Sequence, residues 1–116
     1  MTVVHTEVVF ADEESVSNVV DVADRVVVAI HMPDEWDAAT LTLLASWTGE
    51  EDTFHPVHDG DGELEFTVTA DMVMVVSPDI TRGLRFIQLR SGNTDTPVDQ
   101  SPARTIRLAT IEDSRA

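Results

Sequence analysis

The stretch TLTLLASW, residues 40–47, decides the fold class because its apolar and polar side chains alternate. Successive side chains of an extended chain point to opposite faces, so Leu41 and Leu43 share one face and the threonines share the other. A strand of this kind buries one face against a core and leaves the other in water. The stretch therefore predicts a half-buried β-strand rather than a helix.

The same alternation recurs along the chain. ELEFTVT at 63–69 places Leu64, Phe66 and Val68 on one face, and RTIRLAT at 104–110 pairs Ile106 with Leu108. The candidate strands, most of them rich in Val, Ile, Thr and Phe, are 2–10, 15–22, 25–32, 40–47, 53–58, 63–69, 72–77, 84–91 and 104–111. Short strands at intervals of about ten residues predict an all-β chain folded as an antiparallel β-sandwich.

The length of 116 residues fits one domain, which we place at 1–111, with a flexible C-terminal tail at 112–116. The segment PDEWDAA at 33–39 is the one expected helical turn, because Pro33 can open a helix and acids follow it. No signal peptide is apparent, and the apolar runs are far shorter than the roughly 20 residues of a membrane span. Without cysteine there is no disulfide scaffold or thiol nucleophile. We expect a soluble protein without a membrane partner.

The charge is strongly negative, with 22 acids against seven arginines, no lysine and a net charge of −15. Residues 1–80 carry 18 acids and one Arg, whereas 81–116 carry four acids and six Arg. A field of this sign repels nucleic acid, which we exclude as a partner. Because molar salt screens such repulsion, the composition indicates a salt-rich setting such as a halophile or its virus. An acidic protein of an ordinary host is the alternative.

The stretch HPVHDGDGELEF, residues 55–66, suggests a metal loop at first sight. A calcium loop starting at Asp59 needs Gly and Glu where Leu64 and Ala70 stand. His55 and His58 are three apart on an extended segment, so they point to opposite faces and do not close a zinc site. The DGDG run at 59–62 instead predicts a β-hairpin, since Asp-Gly supplies the positive φ of a tight turn. We expect no metal and no cofactor, with a weak adventitious cation at this tip as the alternative.

Catalytic motifs are not apparent: the sequence has no Gly-x-Ser-x-Gly, no His-Glu-x-x-His and no phosphate-binding glycine loop. Asp34, Glu35 and Asp37 surround Trp36, which resembles a glycosidase pair or a sugar platform. An exposed acidic turn with Trp36 in the core explains them better. We expect no enzyme.

Arginines are concentrated where acids are few, and a guanidinium pairs well with carboxylates. The candidate subunit contacts are Arg82, Arg85, Arg90, Arg104 and Arg107. If they meet the acidic face of a neighbouring copy, they direct assembly. Ion pairs within the sandwich are an equally good explanation, and both stay open at this point.

From about residue 15 to 108 the chain resembles small β-sandwich proteins encoded among the structural genes of tailed phages and prophages. The matching stretches are IHMPDEWDAATLTLLAS at 30–46, DGDGELEFTVTA at 59–70 and GLRFIQLRSGNTDTPVDQSPARTIRL at 83–108. The last is the most specific, with an Arg-aromatic strand, Arg-Ser-Gly, a Pro-Val-x-Gln loop and a closing Arg-Thr-Ile-x-Leu strand. The dense acids and missing lysine depart from the ordinary surface charge of that group.

The resemblance implies a jelly-roll-like module of the virion, assembled in the host cytoplasm as a head decoration, a turret, or part of a fibre or tail. We expect a non-enzymatic protein that forms a trimer or pentamer and contacts other virion proteins such as the major capsid protein. Neighbours in such a ring would cover the edge strand at 2–10, through exchange of that strand. The alternative function is host attachment through a glycan, with Trp36 and Trp47 as stacking platforms.

Overall fold

The computed structural model of this protein describes residues 2–37 and 39–113. All nine predicted strands are present within them, most shorter than their sequence patterns predict. Their bounds are β1 Val4–Phe10, β2 Val20–Asp21, β3 Arg25–His31, β4 Leu41–Ser46, β5 His55–Pro56, β6 Glu65–Phe66, β7 Val73–Val75, β8 Phe86–Ser91 and β9 Arg104–Glu112. The predicted all-β class is confirmed.

The strands form two antiparallel sheets. Sheet A has the order β1-β9-β3-β7, and sheet B has the order β2-β8-β4-β5, with β6 also pairing with β4. This is the strand order of a jelly roll in which the strand beside β4 is divided into β5 and β6. The predicted jelly-roll-like sandwich is therefore confirmed, and β1 lies at an edge of sheet A, as expected.

The core lies between the sheets and consists of the apolar faces that the alternation predicts. Leu41, Leu43, Ile106 and Leu108 are buried, whereas Leu64 is only partly buried and packs against the margin of the core. Each large apolar side chain that is fully buried stabilises the fold by about 1.5–3 kcal/mol relative to an exposed one. On β1 and β8 burial alternates as predicted. β4 differs from the predicted half-buried strand, because Thr42 and Leu44 on its second face are buried too.

The predicted helical turn at 33–39 is wrong, because residues 33–37 and 39 carry no helix. The backbone N–H of Asp37 donates to Gln100 Oε1 at 2.8 Å, and Gln100 Nε2 donates to the Asp37 carbonyl at 3.0 Å. A buried glutamine from another loop thus satisfies backbone groups that a helix would pair internally. The helical turn found among the described residues is a 3-10 turn at Glu51–Thr53.

Two predicted boundaries also differ. The strand expected at 15–22 is reduced to β2, and Val16 makes only an isolated bridge to Arg90. At the other end, Glu112 completes β9 and the N–H of Asp113 donates to the Asp24 carbonyl at 3.0 Å. These two residues belong to the folded domain rather than to the tail predicted at 112–116. Residues 114–116 lie outside the described residues.

Candidate assembly surface

Arg90 and Glu63 form a partly buried ion pair beside sheet B. The Arg90 guanidinium contacts the Glu63 carboxylate and also donates to Thr42 Oγ1 at 3.2 Å and to Thr94 Oγ1 at 2.8 Å. Thr94 in turn donates to Glu63 from its backbone N–H and its hydroxyl, both at 3.0 Å. The side chains of Arg90 and Glu63 are only 11% and 14% exposed. The network therefore ties the base of the 59–62 hairpin and the loop after β8 to the sheet.

This environment changes the acidity of Glu63. Burial tends to raise the pKa of Glu63, but the hydrogen bonds from Thr94 and the charge of Arg90 outweigh it and hold the pKa below its usual value of 4.5. The unfolded chain consequently binds this proton more readily than the folded chain does. The carboxylate contributes stability that is complete above the unfolded-state pKa and is lost as the pH falls through the lower folded-state pKa.

Glu63→Gln is expected to make the loss of stability in acid shallower, because the amide cannot take up a proton on unfolding. Denaturant unfolding at a series of pH values from about 6 down to about 3 measures the slope of the unfolding free energy. Glu51→Gln is the control, since Glu51 is exposed. Equal slopes for the two variants would show that Glu63 titrates as an ordinary surface carboxylate.

Arg104, the first residue of β9, is buried. Its guanidinium lies 3.3 Å from the Glu35 carboxylate and 3.5 Å from that of Asp37, and it donates to the Ser101 carbonyl at 2.8 Å. Its side chain is 9% exposed. Arg104 therefore holds the acidic turn at 33–37 in place. Burial and internal pairing of Arg90 and Arg104 favour the intramolecular alternative for these two predicted contacts.

The other three predicted arginines lie nearer the surface and also pair within the chain. Arg82 contacts Asp79 and lies 3.4 Å from Asp113. The other two pairs are Arg85 with Asp21 at 3.7 Å, the arginine also stacking on Phe86 at 4.8 Å, and Arg107 with Glu7 at 3.1 Å. Exposed pairs of this kind contribute about 0–1 kcal/mol each. Arg85 and Arg107 thus stay accessible to a neighbouring molecule.

The two tryptophans, the predicted glycan contacts, have opposite environments. Trp36 packs edge-on against Phe10, with the ring centroids 5.4 Å apart, and its Nε1–H donates to the Ala39 carbonyl at 3.2 Å. Trp47, just after β4, is 87% exposed. It borders a shallow cavity of about 200 Å³ whose other lining residues include His55 and Arg85. Of the two, Trp47 is the one that presents its ring to a ligand.

The 55–66 stretch forms the predicted hairpin. Asp59 N–H donates to the Gly62 carbonyl at 3.1 Å, His58 lies opposite Glu63, and Gly60 takes the positive φ of 98° that the turn requires. Among residues 2–37 and 39–113, no group of three or more His, Asp and Glu side chains is placed to hold a metal ion.

The solvent-facing side of sheet A, here called the outer face, differs from the rest of the protein in charge. The strand registers place twelve residues on it: His5, Glu7, Val9, Val26, Ala29, His31, Val73, Val75, Thr105, Arg107, Ala109 and Ile111, of which Val26 and Ala109 are almost fully buried. Glu7 and Arg107 pair with each other, so the formal charge of the outer face is zero in a chain of −15. All of the excess negative charge therefore lies elsewhere.

The outer face is also apolar toward one edge of its sheet. Val75 is 85% exposed and Val73 is 55% exposed, both on the edge strand β7. At the centre, the rings of His5 and His31 meet edge to face at 5.2 Å. An exposed edge strand that carries valines, without lysine or proline to protect it, is a surface on which another strand can pair.

Sequence reasoning overlooked this surface, although the signal was present. Alternate residues of the strands at 2–10 and 104–111 carry one acid and one arginine between them, which the period of two places on a single face. The partners of the arginines were not predictable in this way, because Arg107 and Glu7 are 100 residues apart in sequence.

Comparisons with known proteins add no relative: no protein-family model, curated protein or solved structure matches this chain. Among the described residues there is no helix of the length and apolar character needed to cross a membrane.

Proposed function

We propose that this protein is a non-enzymatic structural module of a tailed-virus particle, a capsid decoration or turret protein that works by assembling with copies of itself. The observation that carries the proposal is the charge-balanced outer face of sheet A, which lies between two open sheet edges. The jelly-roll strand order adds support, since viral capsid domains commonly use it. Because one fold serves many functions, the surface carries more weight than the fold.

Charge explains why copies would meet along the edges of the outer face. Two copies, each with a net charge of −15, repel each other in most relative orientations. The repulsion is weakest where neither contacting surface carries excess charge. The exposed valines of β7 then supply apolar area that contact would remove from water. On a particle, the acidic remainder would point outward and keep it dispersed in salt.

The place on a particle is tested with virus particles purified in molar salt from cells that carry the gene. The proposal expects the protein to sediment with the particles, in a copy number per particle that is a multiple of three or five. Its recovery only in the particle-free supernatant would contradict a virion role.

A second candidate function is attachment to a glycan, and the exposed ring of Trp47 favours it. Carbohydrate sites stack a sugar on an aromatic face and surround it with hydrogen-bonding groups, and Thr53, His55 and Arg85 lie around the cavity beside Trp47. Lectin domains share the jelly-roll architecture.

A glycan array separates the two candidates. If the protein binds sugars, Trp47→Ala is expected to abolish binding without loss of stability, because the ring makes few contacts within the fold. Trp36→Ala is the matched control: it is expected to destabilise the fold while leaving the Trp47 surface intact. Array binding that survives Trp47→Ala would remove this candidate.

A further inference from the structure

We propose that β1 of one copy pairs with β7 of the next, so that sheet A continues as one antiparallel sheet from copy to copy. The partner is thus a second copy of this chain. The inference rests on the proposed self-assembly and adds to it the strands that meet, their direction and their register.

Within residues 2–37 and 39–113, the edge strand β7 has two valines whose backbone groups make no hydrogen bond to another strand. Met32 N–H donates to the Met72 carbonyl and Val76 N–H donates to the Val28 carbonyl, both at 2.9 Å. These bonds turn the polar groups of alternate residues of the strand toward β3. Because backbone groups alternate in direction along a strand, the N–H and C=O groups of Val73 and Val75 point away from the sheet.

The strand β1, at the opposite edge of sheet A, also turns backbone N–H and C=O groups away from the sheet. Val9 turns its backbone groups away from β9, since its carbonyl accepts from Asn18 N–H at 3.2 Å and its N–H donates to Asn18 Oδ1 at 2.7 Å. By the same alternation, the backbone groups of His5 and Glu7 also point outward. Asn18 therefore covers one end of this edge and leaves the other end open.

The outward-pointing residues of β1 and β7 carry their side chains on the same face of sheet A. His5 and Glu7 lie on the outer face, and so do Val73 and Val75. Residues directly opposite in an antiparallel pair project to the same side. Pairing these residues therefore keeps the core-facing sides of both copies on one side of the joint sheet, as a continuous layer requires.

Strand direction selects a repeating, head-to-tail contact. Neighbouring strands across sheet A are antiparallel throughout, so β1 and β7 run in opposite directions. When copies follow one another around an axis along the strands, β1 of one meets β7 of the next antiparallel. A head-to-tail contact of this kind uses both edges of every copy and closes into a ring when its rotation divides a full turn. A twofold contact of β7 with β7, or β1 with β1, leaves the other edge of each copy open.

Sheet B is less suited to such a contact. Its end strands β2 and β5 are only two residues long, which limits any ladder formed on them. The open part of β1 is longer, and β7 adds exposed valine side chains beside its backbone groups.

The register that aligns the outer faces places His5 opposite Val75 and Glu7 opposite Val73. Within one copy, His5 and Val75 already lie in the same row across the sheet, through Ala109 and Ala29. An unstaggered continuation of that row brings the two residues together between copies. Each pair then exchanges two backbone hydrogen bonds, with the Cα atoms about 5.5 Å apart.

Engineered cysteines test this register cleanly, because the chain has no cysteine of its own. A separation of about 5.5 Å between Cα atoms suits a disulfide. Within one copy, His5 and Val75 stand at opposite edges of a four-stranded sheet, about 14 Å apart at about 4.8 Å per strand, so they cannot bond to each other.

The double variant His5→Cys/Val75→Cys is expected to form a disulfide-linked ladder on oxidation in molar salt, up to the number of chains in the ring. The single variants His5→Cys and Val75→Cys are expected to stay unlinked, since a head-to-tail contact never brings two identical edges together. Linked dimers from either single variant would overturn the head-to-tail arrangement in favour of a twofold one.

The mass of the reduced double variant in molar salt separates the two levels of the proposal. An oligomer that does not crosslink would overturn the β1–β7 contact and leave self-assembly standing. A single-chain mass would overturn both. As a matched pair, Val75→Lys is expected to reduce the oligomer to single chains, whereas Val19→Lys, the same change at another exposed valine, is expected to leave it assembled. Both variants lower the net negative charge, so increased repulsion cannot explain dissociation by Val75→Lys.

Discussion

Arg90→Met is expected to lower the free energy of unfolding by about 1–3 kcal/mol, the cost of leaving a partly buried, hydrogen-bonded carboxylate without its charged partner. Methionine fills much of the arginine volume but carries no charge, so Glu63 keeps only the hydrogen bonds from Thr94. The hydroxyls of Thr42 and Thr94 lose a donor as well. Denaturant unfolding in molar salt measures the loss while the general charge repulsion is screened.

Arg85→Met is the matched control for this change. Arg85 neighbours the same strand, but its side chain is 58% exposed and its contact with Asp21 is 3.7 Å long. An exposed pair contributes about 0–1 kcal/mol, so the control is expected to lose no more than that. If Arg90→Met cost as little as Arg85→Met, the Glu63 network would be a surface feature rather than a structural anchor.

The double variant Arg90→Met/Glu63→Leu separates the ion pair from the packing around it. Replacing both members of a buried pair by apolar groups is often neutral or stabilising. The double variant is therefore expected to recover a large part of the stability that Arg90→Met loses. The recovery is the coupling free energy between the two residues in a double-mutant cycle.

Salt is expected to have the second large effect, raising the free energy of unfolding between low and molar salt, because added salt screens the repulsion among the excess carboxylates. At about 0.01 M salt the Debye length is about 30 Å, and at 1 M it is about 3 Å. The molecule measures 38 × 29 × 27 Å, so in low salt every excess carboxylate repels the others across the whole fold. In molar salt this repulsion between distant charges disappears, and only close pairs still interact.

A less acidic variant shows whether the salt effect comes from net charge. Amides replace four exposed acids, Glu51, Asp52, Asp95 and Asp99, which changes the net charge by four, from −15 to −11. The variant is expected to be more stable than the wild type in low salt and to gain less from added salt. Unfolding curves that coincide in low and molar salt for the wild type would contradict the electrostatic explanation and, with it, the salt-rich setting.

Alternation of apolar and polar residues was sufficient to predict the nine strands and their inward faces. Leu41 with Leu43 and Ile106 with Leu108 lie on the inward faces that the alternation assigns to them. The half-buried character predicted for β4 is wrong, because Thr42 and Leu44 on its other face are buried as well. The helical turn at 33–39 failed because contacts from distant residues outweighed local propensity. Gln100 bonds both backbone groups of Asp37, and Trp36 packs on Phe10.

The candidate surface was less predictable than the fold. Which arginines are buried depends on pairings such as that of Arg90 with Glu63, 27 residues away, or Arg104 with Glu35, 69 residues away. The period of two does place Arg104 on the inward side of β9 with Ile106 and Leu108, and Arg107 on the opposite side, but it does not reveal which carboxylates pair with them. Likewise, the two open edges of sheet A follow from the order of the strands, which periodicity does not contain.

The central claim is that this protein functions by self-assembly through sheet A, and the mass of the purified protein in molar salt tests it most directly. Light scattering coupled to size exclusion measures that mass while charge repulsion is screened. We expect a closed oligomer of three or five chains, which Val75→Lys dissociates. A wild-type mass of one chain, unchanged as the protein is concentrated, would contradict it.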